Sequence, residues 1–321
     1  MDILINHEVL RQFASCLEHG RLAHAYLFTG PVGIGKTATA LAAAKFINCS
    51  QKSQTAQFFC NQCPSCRKID AGRHPDVRMY ESGEEDSIKI EQVREILDQV
   101  HLRPYEAQKK IFIIKNAESL TLEAANALLK TLEEPTASSM LILTTAVLEK
   151  NIDTIRSRCQ FVRFVPHSKQ NLLHYLSGHY REAKEQDLRF LACFARGCPG
   201  RAVQLKENHF LKQRDEVIDK FVLSSADASF VKTILQDKET SREFLDILLT
   251  WLHDAILLKA GAGEERLVHV DRLADLVQFT RRHSLEELKE IWDYLTAMFR
   301  SLTDNLNMKI PLTTLQLSFN G

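Results

Sequence analysis

The sequence has 321 residues, enough for two or three domains, and its hydrophobic content of 45% is that of an ordinary folded protein. Lysine plus arginine and aspartate plus glutamate number 41 each, so no net field draws the chain to nucleic acid, and DNA contacts must be local or shared with partners. The N-terminal segment lacks a basic signal region and no segment has the roughly 20 uncharged residues of a membrane span, so we expect a cytoplasmic protein without membrane contact.

Short β-rich runs alternate with helical stretches through the first half of the chain, as in parallel α/β proteins. Near-continuous apolar runs predict buried parallel strands, and helical periodicity predicts the helices between them. The predicted strands are Ala25–Thr29, Ile111–Ile114, Met140–Thr145 and Gln160–Phe164, and the predicted helices are Thr37–Ile47 and Leu122–Glu133.

A phosphate-binding motif follows the first predicted strand. The residues Gly30-Pro31-Val32-Gly33-Ile34-Gly35-Lys36-Thr37 match G-x-x-x-x-G-K-[ST] in full, between a strand and a helix. Glycines let the backbone N–H groups face a phosphate, Lys36 reaches the outer phosphates, and Thr37 supplies a hydroxyl for Mg²⁺. A chance glycine-rich turn is the alternative. The motif predicts binding of ATP with Mg²⁺.

A cysteine cluster follows the helix after this motif. Cys60, Cys63 and Cys66 form two overlapping C-x-x-C pairs, and Cys49 precedes Cys60 with ten residues between them. Four thiolates at this spacing can close a tetrahedral site, so we predict structural Zn²⁺ bound by all four. A redox pair and an iron–sulfur cluster are alternatives. The other cysteines, Cys16, Cys159, Cys193 and Cys198, are scattered and are expected to be buried small side chains.

The acidic residues that a hydrolysing phosphate-loop enzyme needs are missing after the strand that ends at Ile114. There an acid holds Mg²⁺ and a following glutamate polarises the attacking water, yet Lys115 and Asn116 occupy these positions. Glu118 comes two residues late and is expected to point elsewhere, although its substitution for the missing acid stays open. We therefore expect nucleotide binding without turnover.

Strand patterns largely stop beyond Pro166, and the rest of the chain is helical in pattern. The predicted helices are Asn171–Tyr180, Gln186–Ala195 and Gly200–Glu207 in one small unit, then Arg242–Lys259 and Leu285–Asn305. The predicted domains are an α/β domain over 1–165 with the cysteine module at about 49–66, an all-α unit over 166–208, and a helical domain over 209–321.

Together, these motifs resemble those of the bacterial DNA polymerase III clamp loader family. The match rests on the phosphate loop, the inserted cysteine module, the segment Asn126–Pro135 (NALLKTLEEP) and the triplet Ser157-Arg158-Cys159. The first cysteine spacing departs from the family, which usually has eight residues there. The resemblance implies a RecA-like AAA+ domain with an inserted zinc knuckle, a helical lid, and an all-α collar domain that joins a five-subunit ring.

The resemblance also implies residue roles and partners. Arg158 would act in trans as an arginine finger in a neighbour's ATP site, Arg201 would be the lid arginine called sensor 2, and Thr145 the sensor 1 residue. Lys115-Asn116 resemble the non-motor, stator-like member of the family. Its partners would be gamma/tau motor and delta subunits, with the sliding clamp and primer–template DNA reached through the complex. An ATPase motor subunit and a zinc-containing DNA-binding module with a degenerate nucleotide fold are the alternatives.

Overall fold

The computed structural model describes residues 5–51, 58–83, 87–147, 153–224, 230, 233–234, 238–301 and 309–320. Contacts divide the chain into two units. The first comprises Met1–His167 with Cys198–Arg201, and the second comprises Ser168–Gly197 with Ala202–Gly321. Within the described ranges, every helix is too short or too polar to cross a lipid bilayer.

A parallel sheet forms the centre of the first unit. Its five strands lie in the order β2-β3-β4-β1-β5, and every neighbouring pair is parallel. The three inner strands are buried along their whole length, which explains their near-continuous apolar sequences. The strands are β1 Ala25–Thr29, β2 Val77–Tyr80, β3 Lys110–Ile114, β4 Ser139–Thr145 and β5 Gln160–Arg163.

Helices cover both faces of this sheet because successive strand residues point to opposite sides. Tyr26 and Phe28 of β1 pack into one core with the first three helices, whereas Ala25 and Leu27 pack into the other core with the fourth and fifth. The helices of this unit are α1 His7–Glu18, α2 Lys36–Asn48, α3 Pro64–Asp70, α4 Ile90–Val100, α5 Leu122–Glu133 and α6 Asp153–Arg156.

The predicted α/β class with a parallel sheet is confirmed, and the four predicted strands are present with small shifts at their ends. Strand β2 was not predicted. It has four residues, pairs only with β3 at the edge of the sheet, and has two buried end residues with two more exposed residues between them. An edge strand this short has neither the length nor the apolar run by which the inner strands are detected.

The second unit is helical and has its own core, in which Trp251 is fully buried. The predicted helices match observed ones, although two of them were extended by one residue too many, to Tyr180 and Ala195. Residues 302–305 of the predicted helix Leu285–Asn305 fall outside the described residues. The boundary predicted at residue 208 stays a prediction. The helices are α7 Lys169–His179, α8 Glu185–Phe194, α9 Pro199–Glu207 (which begins in the first unit), α10 Phe210–Val217, α11 Lys238–Lys259, α12 Leu273–Arg282, α13 Leu285–Ser301 and α14 Lys309–Asn320.

A buried carboxylate fixes the loop that leads into β3. Both oxygens of Asp76 accept backbone N–H groups, from Tyr105 at 2.8 Å, Glu106 at 2.8 Å and Ala107 at 3.0 Å. Burial raises the pKa of this carboxyl, but the three N–H donors outweigh it and hold the pKa below its ordinary value. The ionised form is therefore the one that stabilises the fold.

Asp76→Asn should destabilise the first unit by about 2 kcal/mol at neutral pH, because an amide oxygen cannot accept all three N–H groups. Since the folded pKa is depressed, the stabilisation is present above the ordinary aspartate pKa of about 3.9 and is lost as pH falls below it. Urea unfolding at several pH values, followed by hydrogen exchange of the sheet amides, measures both effects.

Asp98→Asn is the matched control, because Asp98 is exposed on α4 and the charge change is the same. It should change stability by no more than about 0.5 kcal/mol. Equal effects of the two substitutions, or a difference that does not depend on pH, would contradict the structural role given to Asp76.

Candidate functional site

The phosphate-loop motif forms a tight turn between β1 and α2. Gly30, Gly33 and Gly35 have φ angles of 148°, 76° and 100°, a region that favours glycine. Gly35 is the residue that precedes the first turn of α2, so the loop opens directly onto the N-terminus of a helix. Such a terminus presents free N–H groups and a partial positive charge to an anion.

Two other segments approach the loop so closely that glycine is required. A Cβ at Gly30 would lie 2.7 Å from the carbonyl oxygen of Phe164, and one at Gly33 would lie 2.7 Å from the backbone nitrogen of Arg201. The N–H of Gly200 donates to the carbonyl of Gly33 at 2.7 Å, and that of Gly30 donates to the carbonyl of Thr145 at 3.3 Å. The structure thus brings two predicted site residues, Thr145 and Arg201, to the phosphate loop.

The motif lysine is buried against its own loop. Lys36 Nζ donates to the carbonyls of Gly30 at 2.7 Å and Pro31 at 2.9 Å. Burial lowers the pKa of Lys36, while the nearby carboxylate of Glu118 acts in the opposite direction. Pro31, Val32 and Ile34 complete the loop, and Thr37 lies half-buried in the first turn of α2.

A cleft opens beside the start of this loop. Its volume is about 590 Å³, and the residues that line it include Thr29, Gly30, Ala146, Arg156 and Arg163. Arg156 also stacks on Phe161, with its guanidinium carbon 5.4 Å from the ring centre. The carboxyl edge of the sheet therefore combines space for a ligand with positive charge, as expected for binding in an open α/β sheet.

The two residues directly after β3 have structural partners. Lys115 Nζ forms an ion pair with Glu81 Oε2 at 2.7 Å, just beyond the end of β2. Asn116 has a left-handed backbone with φ 54°, and its N–H donates to Thr144 Oγ1 at 3.2 Å. Neither side chain offers a carboxylate to the site.

Glu118 returns to the site, and the expectation that it points elsewhere is wrong. The left-handed Asn116 and the single 3₁₀ turn Ala117–Ser119 reverse the chain immediately after β3. Glu118 Oε1 then accepts the N–H of Ala146, one residue beyond β4, at 3.1 Å. Sequence spacing left Glu118 open as a substitute acid but did not place its side chain, because that position depends on the reversal.

Arg158 makes polar contacts with Glu133 and Thr154 and not with the phosphate loop. Its Nε and Nη2 atoms contact Glu133 Oε1 at 2.9 Å and 2.6 Å, and Nη1 donates to the carbonyl of Thr154 at 2.9 Å. About a third of the arginine side chain and half of the glutamate side chain are exposed. Ion pairs with this exposure contribute about 0–1 kcal/mol, so the guanidinium can be withdrawn at little cost. Glu133 was not identified from the sequence.

The four predicted metal-binding cysteines lie together. Their Sγ atoms all lie within 4.8 Å of one another, with Cys49 at 3.6 Å from Cys60 and 3.9 Å from Cys63. A tetrahedral site with metal–sulfur distances of about 2.3 Å requires sulfur–sulfur distances of about 3.8 Å. The cluster therefore has the dimensions of a metal site that four thiolates can fill.

Backbone donors surround this cluster. Cys60 Sγ accepts the N–H groups of Gln62 at 3.4 Å and Cys63 at 3.2 Å, in a turn that Asn61 enters with a positive φ of 56°. These donors lower the pKa of Cys60. Burial raises the pKa of Cys63, but hydrogen bonds from Ser50 and from the Cys66 N–H outweigh it and bring the pKa to about 5. Thiolate, the form that binds metal, is thus stabilised on this side of the cluster.

Cys49 and Cys66 complete the cluster, and both are buried. Burial raises the pKa values of Cys49 and Cys66, so a bound cation is needed to hold both as thiolates. Lys45 of α2 joins the module to the sheet unit, because its Nζ contacts Asn61 Oδ1 at 2.9 Å and Asp70 Oδ1 at 2.5 Å. Outside the cluster, burial raises the pKa of Cys159 to about 12. Cys198 is buried as predicted, but Cys16, Cys159 and Cys193 are only partly buried, so the prediction is wrong for these three.

Comparison with known proteins gives matches along most of the chain. The family described as "DNA polymerase III, delta subunit" matches residues 5–168, and "DNA polymerase III, delta subunit, C terminal" matches residues 208–320. DNA polymerase III subunit delta' of Bacillus subtilis (strain 168) is 31% identical over 296 residues, which are 88% of this chain and 85% of that protein.

Two further relatives match a shorter part. DNA polymerase III subunit delta' of Pseudomonas aeruginosa is 33% identical over 199 residues, 61% of this chain and 60% of that protein. DNA polymerase III subunit tau of Escherichia coli (strain K12) is 34% identical over 210 residues, 64% of this chain but 32% of its own length. The likeness to tau therefore concerns about a third of that longer protein.

Gly200→Ala should loosen the phosphate loop, because the new Cβ would lie 2.8 Å from the carbonyl oxygen of Gly33. We expect a destabilisation of about 1–3 kcal/mol and faster hydrogen exchange in residues 30–37, measured by mass spectrometry. Gly178→Ala is the control, since no atom lies within 4 Å of its Cβ position in α7. Unchanged exchange in Gly200→Ala would show that the close contact does not constrain the loop.

Proposed function

The chain belongs to the DNA polymerase III delta-subunit family, and from this premise we propose that it works as a delta-prime-like, non-motor subunit of the clamp loader. In this role it joins gamma/tau and delta subunits in a hetero-pentamer that places the sliding clamp onto primed DNA during chromosomal replication. DNA synthesis itself belongs to the polymerase holoenzyme. The subunit supplies a fixed position in the ring and one arginine to its neighbour.

The observation that carries this proposal is the pairing of a complete phosphate loop with Lys115 and Asn116. A phosphate loop with a buried lysine and an open helix N-terminus can bind the phosphates of a nucleoside triphosphate. Hydrolysis also needs a group that accepts a proton from the attacking water, and the amide of Asn116 is no base. The chain therefore binds ATP with Mg²⁺ but does not turn it over on its own.

Arg158 is the residue proposed to act in trans. Charge on a transferring phosphoryl group is stabilised by an arginine from a neighbour, with effects of about 10³–10⁵-fold in known cases. Arg158 lies at an exposed turn after α6, where a hydrogen bond to the carbonyl of Thr154 and a weak surface ion pair with Glu133 hold it. It can therefore exchange these partners for phosphate oxygens in an adjacent motor subunit.

Two residues are proposed to sense nucleotide within this chain. Thr145 ends β4 and its carbonyl accepts the N–H of Gly30, so its position is coupled to the phosphate loop. The backbone of Arg201 packs on Gly33, so a change in this loop reaches the start of α9. We assign Thr145 to the sensor 1 role and Arg201 to the sensor 2 role of the AAA+ fold.

We assign the four-cysteine cluster to structural zinc. All four ligands are thiolates, so no position is left open for a catalytic water. The N–H donors to Cys60 and Cys63 and the burial of Cys49 and Cys66 suit a closed site that ties α3 to α2. Metal binding would then contribute folding free energy to the first unit.

An active motor subunit is the second candidate function, favoured by the 34% identity to the tau subunit and by the return of Glu118 to the site. The two functions differ in one measurement on the isolated chain. ATP turnover stimulated by clamp and primed DNA, and abolished by Lys36→Ala, would establish a motor. Its absence in chain that binds nucleotide supports the delta-prime-like role.

Arg158→Ala should slow ATP hydrolysis at the motor site that faces this subunit by about 10²-fold or more, because the transition-state charge loses its trans cation. The measurement is pre-steady-state hydrolysis in a reconstituted loader whose other trans arginines have been removed, together with clamp loading on primed DNA. Arg11→Ala, at an exposed arginine of α1, should leave both rates unchanged. Normal hydrolysis in Arg158→Ala would remove the trans role.

Purified chain should contain about one zinc ion, measured by elemental mass spectrometry. Cys63→Ser should lose the ion and lower the melting temperature of the first unit, because the remaining thiolates then lose their shared cation. Cys16→Ser, outside the cluster, should retain the metal. Iron with visible charge-transfer absorption, or metal-free protein of unchanged stability, would contradict the zinc assignment.

A further inference from the structure

One oxygen of Glu118 lacks a hydrogen-bond donor in the described part of the chain. Oε1 accepts the N–H of Ala146, but Oε2 is shielded from solvent and has no partner. An unsatisfied buried polar atom costs about 1–3 kcal/mol, and more when it is charged. Such an atom at a ligand site indicates a water or an ion that completes the site.

The carboxylate lies in the field of the phosphate loop. Burial lowers the pKa of Lys36, and the charge of Glu118 is the largest influence that opposes this effect. The ammonium group already donates to the carbonyls of Gly30 and Pro31, and no bond between it and Oε2 is formed. Glu118 therefore adds a negative charge near the loop without forming a hydrogen bond to Lys36 through Oε2.

We propose that Glu118 is the carboxylate that binds the Mg²⁺ of a magnesium–nucleotide complex in the phosphate loop. Mg²⁺ prefers oxygen ligands and is usually held by one or two carboxylates together with substrate phosphates and water. The free Oε2 meets this requirement, whereas Lys115 and Asn116 do not. The inference rests on the nucleotide binding proposed above and adds the residue that holds the metal.

With this assignment, Glu118 contributes to binding of the magnesium–nucleotide complex but not to its hydrolysis. One oxygen of Glu118 accepts the Ala146 N–H at the end of β4, which fixes the side chain and leaves Oε2 as the oxygen available to the metal. A carboxylate in the place of Asn116 would still be needed to accept a proton from water. The site can thus hold a magnesium–nucleotide complex without activating the attack on it.

The test is calorimetric titration of the full chain with ADP, in Mg²⁺ and in EDTA. Wild-type chain should bind ADP at least about tenfold more tightly in Mg²⁺, the scale of one charge-assisted contact. Glu118→Gln should keep the affinity measured in EDTA and lose the enhancement by Mg²⁺. Its amide oxygen can still accept the Ala146 N–H, so the fold is retained, and thermal melting verifies this.

Glu123→Gln is the matched control, since Glu123 is an exposed acid in the first turn of α5. It should keep the full enhancement by Mg²⁺. Electron paramagnetic resonance with Mn²⁺ in place of Mg²⁺ gives a second readout, and the spectrum of protein-bound Mn²⁺–ADP should be present in Glu123→Gln and lost in Glu118→Gln.

The outcomes distinguish the metal-binding role of Glu118 from the nucleotide binding on which it rests. Equal enhancement by Mg²⁺ in wild type and Glu118→Gln, or wild-type binding that Mg²⁺ does not affect, overturns the role of Glu118 and leaves nucleotide binding standing. A wild-type chain that binds ADP in neither condition overturns nucleotide binding and the metal site together.

Discussion

The close approach of three backbones at the carboxyl edge of the sheet is the constraint on which the candidate site depends. The phosphate loop contacts Phe164 after β5 and Gly200 at the start of α9, at distances that leave no room for a Cβ on Gly30 or Gly33. Hydrogen bonds from Gly30 to Thr145 and from Gly200 to Gly33 close the same contacts. Because these atoms belong to backbone, the loop cannot relax without moving β4 or α9.

Charge is divided unevenly around this constrained loop. Lys36 and the backbone of Arg201 lie against it, and Glu118, in the turn after β3, adds a single carboxylate. The position where a base would act carries Asn116, and Lys115 is neutralised by Glu81. This distribution of charge is the basis of the proposal that the site binds a magnesium–nucleotide complex without hydrolysing it. Arg158, the residue proposed to act in trans, lies at a turn outside this set of contacts, where it pairs with Glu133 and donates to the carbonyl of Thr154.

The cysteine cluster stabilises the same unit through packing and through its connection to α2. It is buried in the core that also contains Phe28 of β1 and Ile113 of β3, and Lys45 connects it to α2. Since α2 begins at the phosphate loop, a metal that orders the cluster also orders the helix whose N-terminus faces the ligand. A metal bound by the four cysteines would therefore support the site by making this unit more rigid.

The sequence by itself determined the features encoded by neighbouring residues: the phosphate loop, the four cysteines, the buried inner strands and the missing acids after β3. Each is specified by a short run whose spacing fixes the local geometry. The tertiary structure decided the edge strand β2, the ion pair of Arg158 with Glu133, and the return of Glu118 to the site. These depend on contacts between residues about 25 or more positions apart, and on the left-handed turn at Asn116, which linear spacing does not specify.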